Sequence, residues 1–318
     1  MSAVELDRGP FWFGGAGIGN LLREVSDEDA RAAVEAAWDV GVRGFDTAPH
    51  YGLGLSERRL GTALAGRLRS DYLVSTKVGR LLVPGRGDGD DLASGGFAVA
   101  DDTVRQWDPS PSGVRRSLDE SLGRLGLDHV DVAYLHDPDV YSLTDGLTQA
   151  LPTLADLRAE GVVRAVGVGS NSVDALAAAV ETRLCDVVML AGRYTLLEQP
   201  AAALVDRCGE LGVDVVAVGV YNSGLLSSPR PAPGATYDYA TAPEHLVERA
   251  DAIAGVCERH GVTLPEAALA FPRRAAAVRA IALGAQSASQ VRQNAERAST
   301  SVPDALWDDL RAAGLLSA

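Results

Sequence analysis

Short apolar segments alternate with amphipathic segments along almost the whole chain, and this alternation constrains the fold more than any single motif. Most of the apolar segments are rich in Val, Ile and Leu on both faces, which is typical of parallel strands covered on both sides. We predict one strand within residues 11–19 and others at residues 41–48, 71–78, 130–136, 162–169, 185–190, 213–220 and 278–284. Helices are predicted at residues 26–40, 56–68, 110–125, 143–160, 173–182, 200–211, 243–260 and 287–298.

The strand-then-helix order continues without a break in composition, so the sequence predicts an α/β fold: a single domain over residues 1–318 that forms a closed (β/α)8 TIM barrel. One connection is too long for a plain barrel, because a Gly- and Asp-rich segment at residues 79–109 follows the third strand. A connection of more than ~15 residues is usually functional or disordered. This one emerges at the C-terminal face of the barrel, where barrel active sites lie.

Acidic residues outnumber basic ones, with 43 Asp and Glu against 29 Lys and Arg, so the formal net charge is −14. This charge argues against a nucleic-acid surface, because phosphate binding requires clustered Lys and Arg. No apolar run approaches the ~18 residues of a membrane span, and charged N-terminal residues stand where a signal peptide has its apolar run. We therefore expect a cytoplasmic protein without nucleic-acid or membrane partners, and its oligomeric state stays open.

Neither the cysteines nor the glycine-rich loop predicts a metal or dinucleotide motif. Cys185, Cys208 and Cys257 stand far apart, which suits buried thiols in a reducing compartment, and no metal site is expected. The glycines at residues 15, 17 and 19 have the spacing GxGxG. A Rossmann loop requires GxGxxG with an acidic residue about 20 residues later, so we interpret the glycines as a tight loop after the first strand.

Four polar residues follow or end apolar strands. Asp46 ends the second predicted strand with Tyr51 five residues later, Lys77 lies near the end of the third, and His136 ends the fourth. A barrel collects catalytic residues at these strand ends. Together they form an acid–base set: an ammonium lowers the pKa of a nearby phenol, a carboxylate fixes the ammonium, and a neutral imidazole can orient a carbonyl oxygen.

The chain resembles the aldo-keto reductase superfamily in motifs spread over nearly its whole length. The matching segments are GFDTAPHYGLGLSERRLGTAL, VSTKVG, LDHVDVAYLHDPD, VVRAVGVGSN and GAQSASQVRQN. The variants LHDPD, LAGRYTLLEQ and GVYNSGLL are similar to the branch of bacterial and plant sugar 1-dehydrogenases, which act on fucose-, galactose- or arabinose-type aldoses, and to the pyridoxal dehydrogenases. The resemblance implies a single (β/α)8 barrel that binds a nicotinamide cofactor in an extended form.

The resemblance also implies a role for each of the four strand-end residues. Tyr51 would be the acid–base residue, Lys77 its pKa modulator, Asp46 the partner of Lys77, and His136 the residue that orients the substrate oxygen. Tyr221 falls where the family stacks an aromatic ring on the nicotinamide.

Further cofactor contacts follow from the same resemblance. Either Ser170 or Asn171 would hydrogen-bond the carboxamide, and the glutamine that the family usually has on the next strand is absent from CDVVMLAGRY. The segment that ends at Asn294 resembles the part that holds the adenosine 2′ end, where many NADP-using members have an Arg four residues before the Asn. Gln290 occupies that position, and losing a cation there weakens phosphate binding roughly ten- to hundredfold. We predict NAD as the cofactor; NADP stays possible because Arg292 is close in sequence.

The sequence therefore predicts an NAD(P)-dependent oxidoreductase that moves hydride to or from C1 of an aldose or a similar small aldehyde or alcohol. Three alternatives stay open: a pyridoxal or other aldehyde reductase or dehydrogenase of the same family, a non-catalytic cofactor-binding regulatory subunit, and an unrelated barrel isomerase or aldolase, which Asp46 and Tyr51 disfavour. The substrate and the direction of the reaction also stay open. Candidate substrate-pocket residues are Trp12, Asn20, Leu21, His50 and Trp107.

Overall fold

Eight parallel strands close on themselves into a barrel within residues 4–87 and 89–316, the part of the chain that the computed structural model describes. In chain order the strands are β1 (Trp12–Gly14), β2 (Gly44–Asp46), β3 (Leu73–Val78), β4 (Val132–His136), β5 (Ala165–Ser170), β6 (Val187–Ala191), β7 (Asp214–Val218) and β8 (Val278–Gly284). Each strand pairs with the next along the chain, and β8 pairs with β1. The predicted (β/α)8 barrel is thus confirmed.

The longer helices are α1 (Asp27–Asp39), α2 (Leu55–Leu64), α3 (Pro111–Leu125), α4 (Leu151–Ala159), α5 (Val173–Glu181), α6 (Ala202–Leu211), α7 (Glu244–Arg259), α8 (Leu264–Ala270), α9 (Ala288–Ala298) and α10 (Asp304–Ala312). Shorter helical turns are Gly17–Gly19, Arg69–Asp71, Leu92–Gly95, Pro138–Val140, Leu143–Asp145, Gly146–Ala150 and Pro272–Arg274. Within residues 4–87 and 89–316, none of the helices combines the length and the hydropathy needed to cross a bilayer.

The helix boundaries depart from the sequence prediction at identifiable residues. The helix predicted at residues 143–160 is split into a short helix, a π-helical turn and α4, which has Pro152 in its first turn. Proline lacks the N–H that regular helical bonding needs. The sequence analysis missed α8, although Thr263 and Glu266 form a capping box at its start, with Pro265 between them.

The barrel interior is filled by side chains that alternate along the strands, as a strand period of two requires. Trp12, Tyr134 and Met189 pack there together with Val4 and Leu6, which come from the segment before β1. This segment is joined to the interior by a hydrogen bond from Trp12 Nε1 to the carbonyl oxygen of Leu6, at 2.8 Å. The packed interior leaves the carboxyl ends of the strands as the face where a ligand can bind.

The long connection after β3, residues 79–109, is called the insert below, and its described residues, 79–87 and 89–109, are folded. It contains one antiparallel pair, Arg80–Pro84 with Thr103–Trp107, and a second pair, Asp90–Asp91 with Phe97–Ala100. Its two ends meet, since Asp108 N donates to the carbonyl oxygen of Gly79 at 3.0 Å. The insert also pairs with the loop after β1 through a bridge between Leu21 and Phe97. It therefore lies beside the carboxyl ends of the barrel strands.

Candidate active site

A buried ion pair lies at the carboxyl ends of β2 and β3. Lys77 Nζ is 2.7 Å from Asp46 Oδ2, and the two side chains are 2% and 4% exposed. Asp46 Oδ1 accepts a hydrogen bond from Ser75 Oγ at 2.7 Å, and the Lys77 ammonium also donates to the carbonyl oxygen of Thr47 at 3.0 Å. A buried charge pair needs such additional hydrogen bonds to offset its desolvation. Both charged groups are therefore held in one arrangement.

Tyr51 is placed next to this pair by a loop that only glycines allow. The Lys77 ammonium is 4.6 Å from the centroid of the Tyr51 ring. Gly52, the next residue, has a φ of +61°, and a Cβ atom on it would lie 2.2 Å from the carbonyl oxygen of Gly19. A Cβ on Gly19 would in turn lie 2.8 Å from the carbonyl carbon of Tyr51. Close packing of two loop backbones, and not dinucleotide binding, explains why a glycine stands at residue 19.

The phenol and the ammonium shift each other's acidity. Burial raises the pKa of Tyr51 to about 12, while the charge of Lys77 acts in the opposite direction. Burial acts to lower the pKa of Lys77, but the charges of Asp46 and Tyr51 raise the Lys77 pKa above its usual value. The expectation that Lys77 favours the phenolate has the correct sign, although burial outweighs it. The site therefore holds a protonated phenol beside a permanent cation.

His136 completes the group at the end of β4. Its ring centroid is 5.9 Å from that of Tyr51, and the two rings meet edge to face. Burial, together with the positive charges of Arg80 and Lys77, holds the pKa of His136 well below its usual value. A neutral imidazole keeps one N–H donor and one acceptor nitrogen. The four residues predicted to form an acid–base set are thus brought together.

His50 lies in the same group, and a second buried ion pair holds it. Its ring is 6.1 Å from the Tyr51 ring and 5.4 Å from the His136 ring, between centroids. Arg105 of the insert donates from Nε to His50 Nδ1 and from a terminal nitrogen to the His50 carbonyl oxygen, the latter at 2.9 Å. The same guanidinium binds both carboxylate oxygens of Asp91, at 2.6 and 2.7 Å. Sequence reasoning found His50 but missed Arg105 and Asp91.

A further charged pair that sequence reasoning missed borders His136. Asp137 follows His136 directly and has a φ of +42°. Its Oδ2 is 3.4 Å from His136 Nε2 and 2.7 Å from a terminal nitrogen of Arg80, the second residue after β3. Burial raises the pKa of Asp137, although Arg80 opposes this. The sequence could have indicated Arg80 and Asp137 by their positions, since each lies within two residues of the carboxyl end of a barrel strand.

Trp107 stands where the insert returns to the barrel. Its ring stacks on that of Tyr141 with centroids 5.0 Å apart and planes 2° apart. A Cβ on Gly79 would lie 2.5 Å from the Trp107 ring, so the indole lies directly against the backbone that follows β3. Trp107 thus lies beside the carboxyl end of β3, and its contact with substrate stays a prediction.

Two predicted substrate residues are placed elsewhere. Trp12 is 1% exposed and fills the barrel interior at the level of Gly44, whose missing side chain makes room for the indole. Asn20 is also buried, and its side chain bonds Ala98, Val25 and Arg59. Its polar atoms are used to hold the loop after β1 against the insert. Neither side chain is available at the carboxyl ends of the strands to contact a substrate, so the prediction that Trp12 and Asn20 line the substrate pocket was wrong.

The residues assigned to the cofactor come from the end of β5, from the segment after β7 and from α9. The Ser170 hydroxyl donates to Asp139 at 2.8 Å and accepts from the backbone of Ser172, whereas Asn171 is exposed. Tyr221 lies three residues beyond the end of β7, and its hydroxyl donates to Asn294 Oδ1 at 3.1 Å. The structure thus ties Tyr221 to α9 and not to the Tyr51 and His136 rings. This hydrogen bond engages the hydroxyl only, so stacking of the Tyr221 ring on the nicotinamide stays a prediction.

The start of α9 offers polar groups for the far end of an extended dinucleotide. Ser287 caps the helix, and the exposed Ser289 and Gln290 follow it. Gln290 Oε1 accepts from the backbone N–H of Gln286 at 2.7 Å, and Arg23 Nε donates to the Gln286 side chain at 2.7 Å. Hydroxyls, amides and a helix N-terminus are donors that suit ribose hydroxyl and phosphate oxygens. The residues present fit a nicotinamide dinucleotide.

Comparisons with known proteins agree with this geometry. A model described as the Aldo/keto reductase family matches residues 10–314. The chain is 47% identical to a D-threo-aldose 1-dehydrogenase from a Pseudomonas species, over 96% of this chain and 93% of that protein. It is 36% identical to a pyridoxal 4-dehydrogenase from Microbacterium luteolum, again over 96% and 93%. Among solved structures, the holo form of an aldo-keto reductase from Bacillus halodurans superposes with a TM-score of 0.73 at 25% identity, covering 97% of this chain and 92% of that one.

Proposed function

The chain belongs to the Aldo/keto reductase family and is an NAD(P)-dependent oxidoreductase, and from this premise we propose that it transfers hydride between the nicotinamide and C1 of an aldose. The observation that carries the proposal is the buried Lys77–Asp46 pair beside Tyr51, with polar side chains around it. His50, on the loop after β2, is one of these polar side chains. An apolar aldehyde would leave their donors and acceptors unpaired, whereas a polyhydroxylated substrate can bind them.

Each residue of the acid–base set has one task in the proposed mechanism. The nicotinamide, when bound, accepts or supplies the hydride. During reduction the Tyr51 phenol gives its proton to the carbonyl oxygen, and the phenolate is reprotonated from solvent. During oxidation the phenol first releases its proton to solvent, and the phenolate then takes the proton from the C1 hydroxyl. The Lys77 ammonium stabilises the phenolate that forms, and Asp46 keeps Lys77 charged and in place. His136 donates a hydrogen bond to the reacting oxygen and orients it.

We also propose which residues hold the cofactor. The exposed Asn171 is the better partner for the carboxamide, because the hydroxyl of Ser170 is already engaged with Asp139. Asn294 and Gln290 would bind the adenosine end, with Tyr221 beside Asn294. Gln290 can hydrogen-bond a ribose hydroxyl but cannot neutralise a 2′-phosphate. NAD is therefore the proposed cofactor.

Several further properties belong to the same proposal. Residues 1–318 would act as a single domain, since the barrel and its helices form one continuous structure. The cysteines Cys185, Cys208 and Cys257 are buried free thiols, which suits a reducing compartment such as the cytoplasm. Oxidation of pyridoxal is the second candidate reaction, favoured by the flat Trp107–Tyr141 stack that could cover an aromatic ring.

A substrate panel tests the proposal. The enzyme is assayed with NAD and with NADP on five compounds: D-arabinose, L-fucose, D-galactose, pyridoxal and methylglyoxal. Pyridoxal and methylglyoxal are also assayed for reduction with NADH and NADPH. Absorbance of the reduced nicotinamide reports turnover, and the Tyr51→Phe variant shows which turnover arises at this site. We expect the highest kcat/KM with an aldose and NAD. Turnover of the non-sugar aldehydes alone would contradict the aldose assignment.

A further inference from the structure

His50 is a second imidazole at the mouth of the site that the proposed mechanism leaves without a task. It is partly exposed, lies within about 6 Å of both the Tyr51 and the His136 ring, and meets the Phe97 ring edge to face at 5.3 Å. Phe97 belongs to the insert. His50 is therefore fixed on one side by the acid–base set and on the other by the insert.

The contact with Arg105 determines which nitrogen of His50 carries the proton. An arginine Nε can only donate, so His50 Nδ1, which receives it, must be the acceptor. In a neutral imidazole the proton then resides on Nε2. Burial, followed by the charges of Arg80, Arg105 and Lys77, lowers the pKa of His50 to about 2, so the ring is neutral at physiological pH.

Arg105 is itself held in a single orientation. Its side chain is 10% exposed, and that of its partner Asp91 is 4% exposed. The Asp91 carboxylate also accepts a hydrogen bond from Ser94 Oγ at 2.8 Å. A Cβ on Gly95 would lie 2.3 Å from an Asp91 oxygen and 2.5 Å from the guanidinium, so the backbone closes directly over the pair. Such a bidentate pair fixes direction as well as charge.

We propose that Asp91 and Arg105 are positioning residues that hold His50 as an Nε2–H donor for the hydroxyl next to the reacting carbon, which makes the enzyme selective for 2-hydroxyaldehydes. This rests on the proposed function, because it assumes that C1 of an aldose is held at His136. The two ring centroids are 5.4 Å apart, so the two imidazoles can bind oxygens on neighbouring carbons. A substrate without the second oxygen leaves the His50 donor unpaired, which is costly in a partly desolvated site.

The first test observes the tautomer directly and does not need turnover. Nitrogen-15 NMR of the histidine side chains should show the His50 ring with its proton on Nε2 in the wild-type protein. Arg105→Lys keeps a positive charge near Asp91 but removes the directional Nε donor, and it should give a mixture of tautomers. Arg86→Lys, in an exposed arginine of the same insert, is the matched control and should leave the spectrum unchanged.

The second test measures recognition of the neighbouring hydroxyl. D-arabinose and 2-deoxy-D-ribose differ only in the C2 hydroxyl, so we compare kcat/KM for the two sugars in each variant. His50→Phe and Arg105→Lys should lower the value for D-arabinose about tenfold and that for the deoxy sugar less than about twofold. His50→Gln, which keeps an N–H donor close to the position of Nε2, should recover more activity with D-arabinose than His50→Asn.

The outcomes separate this inference from the proposed function. Lack of turnover with every aldose would overturn the proposed function and the hydroxyl recognition with it. Normal aldose turnover with equal losses on both sugars would overturn this inference alone. A wild-type spectrum with the His50 proton on Nδ1 would overturn the positioning role of Arg105, whatever the kinetics show.

Discussion

The ammonium nitrogen of Lys77 lies 2.7 Å from Oδ2 of Asp46 in a part of the barrel where neither side chain is more than 4% exposed. The pair links the carboxyl ends of two adjacent strands, β2 and β3, and the Tyr51 ring is 4.6 Å from the same ammonium. The proposed proton-transfer residue thus lies against an ion pair that is part of the folded core. Catalysis and stability should therefore respond together when the pair is changed.

We expect Lys77→Met to lower the free energy of unfolding by about 3–5 kcal/mol, because the Asp46 carboxylate would remain buried without its counter-charge. The double variant Asp46→Asn with Lys77→Met should regain part of this loss, since no uncompensated charge is left. Urea unfolding of the three proteins measures the difference. Equal stability of the single and double variants would contradict a charge-pair explanation.

Tyr51→Phe should reduce kcat by roughly 10²–10⁴-fold, because this is the usual contribution of a positioned proton donor or acceptor. The affinity for NAD, measured by quenching of protein fluorescence, should stay nearly unchanged because the phenol oxygen is not a proposed cofactor ligand. Near wild-type kcat in this variant would show that another group moves the proton.

His136→Asn should lower kcat/KM while the protein remains folded, because the residue is proposed to orient the substrate oxygen. It should also weaken the pH dependence of stability. The pKa of His136 is depressed in the folded state, so the unfolded state binds more protons below about pH 6.5, and stability falls there by up to about 1.4 kcal/mol per pH unit for such an imidazole.

Urea unfolding at pH 7 and pH 5.5 should therefore show a smaller difference for His136→Asn than for the wild type. Because the pKa of His136 is well below its usual value in the folded protein, the wild-type pH profile of kcat/KM should show no change near pH 6.5 that arises from His136. An insoluble variant would instead identify His136 as a packing residue.

Wild-type enzyme should show a higher kcat/KM with NAD than with NADP, and Gln290→Arg should shift the preference towards NADP. Gln290 is exposed at the start of α9, where an arginine side chain could reach a 2′-phosphate. Initial rates with both cofactors measure the ratio. A wild-type preference for NADP would refute the assignment, and Arg23, which contacts Gln286, would then be the next residue to substitute.

Gly52→Ala should destabilise the protein more than Gly66→Ala. Both glycines have positive φ, +61° and +81°, so both substitutions carry a similar backbone strain. Only Gly52 is packed against backbone, with a Cβ position 2.2 Å from the Gly19 oxygen, whereas Gly66 has open space. Thermal unfolding compares the two, and kcat should fall only in Gly52→Ala because Tyr51 is the adjacent residue. A smaller loss for Gly52→Ala would refute the close-packing argument.

The proximity of three residues of the proposed acid–base set could be predicted because it depends only on strand order. Asp46, Lys77 and His136 stand at the carboxyl ends of consecutive parallel strands, and these ends meet at one face of a barrel. Trp12 could not be placed in the same way. The sequence predicts a strand only somewhere within residues 11–19, and β1 contains only Trp12–Gly14, so the depth of the indole within the barrel was not defined.

The Asp91–Arg105–His50 contacts were beyond sequence reasoning for a different reason. Arg105 is 55 residues from His50 and 14 from Asp91, and the insert has no hydrophobic period that would give its register. Its short strands pair only after the insert has folded against the loop that contains Leu21. The hydrogen bond between Tyr221 and Asn294 illustrates a third limit, because the sequence does not give the path of the chain beyond the end of β7.

The hydrogen bond between Asp108 and Gly79 holds the two ends of the insert next to each other, so the chain leaves the barrel and returns to it at the same place. Its length and sequence can therefore vary while β3 and α3 keep their positions. Lineages that descend from a common ancestor can exchange or remodel this segment, and so acquire new substrates, without reinventing the reaction. For protein engineering, residues 80–107 form a natural cassette to transplant between relatives.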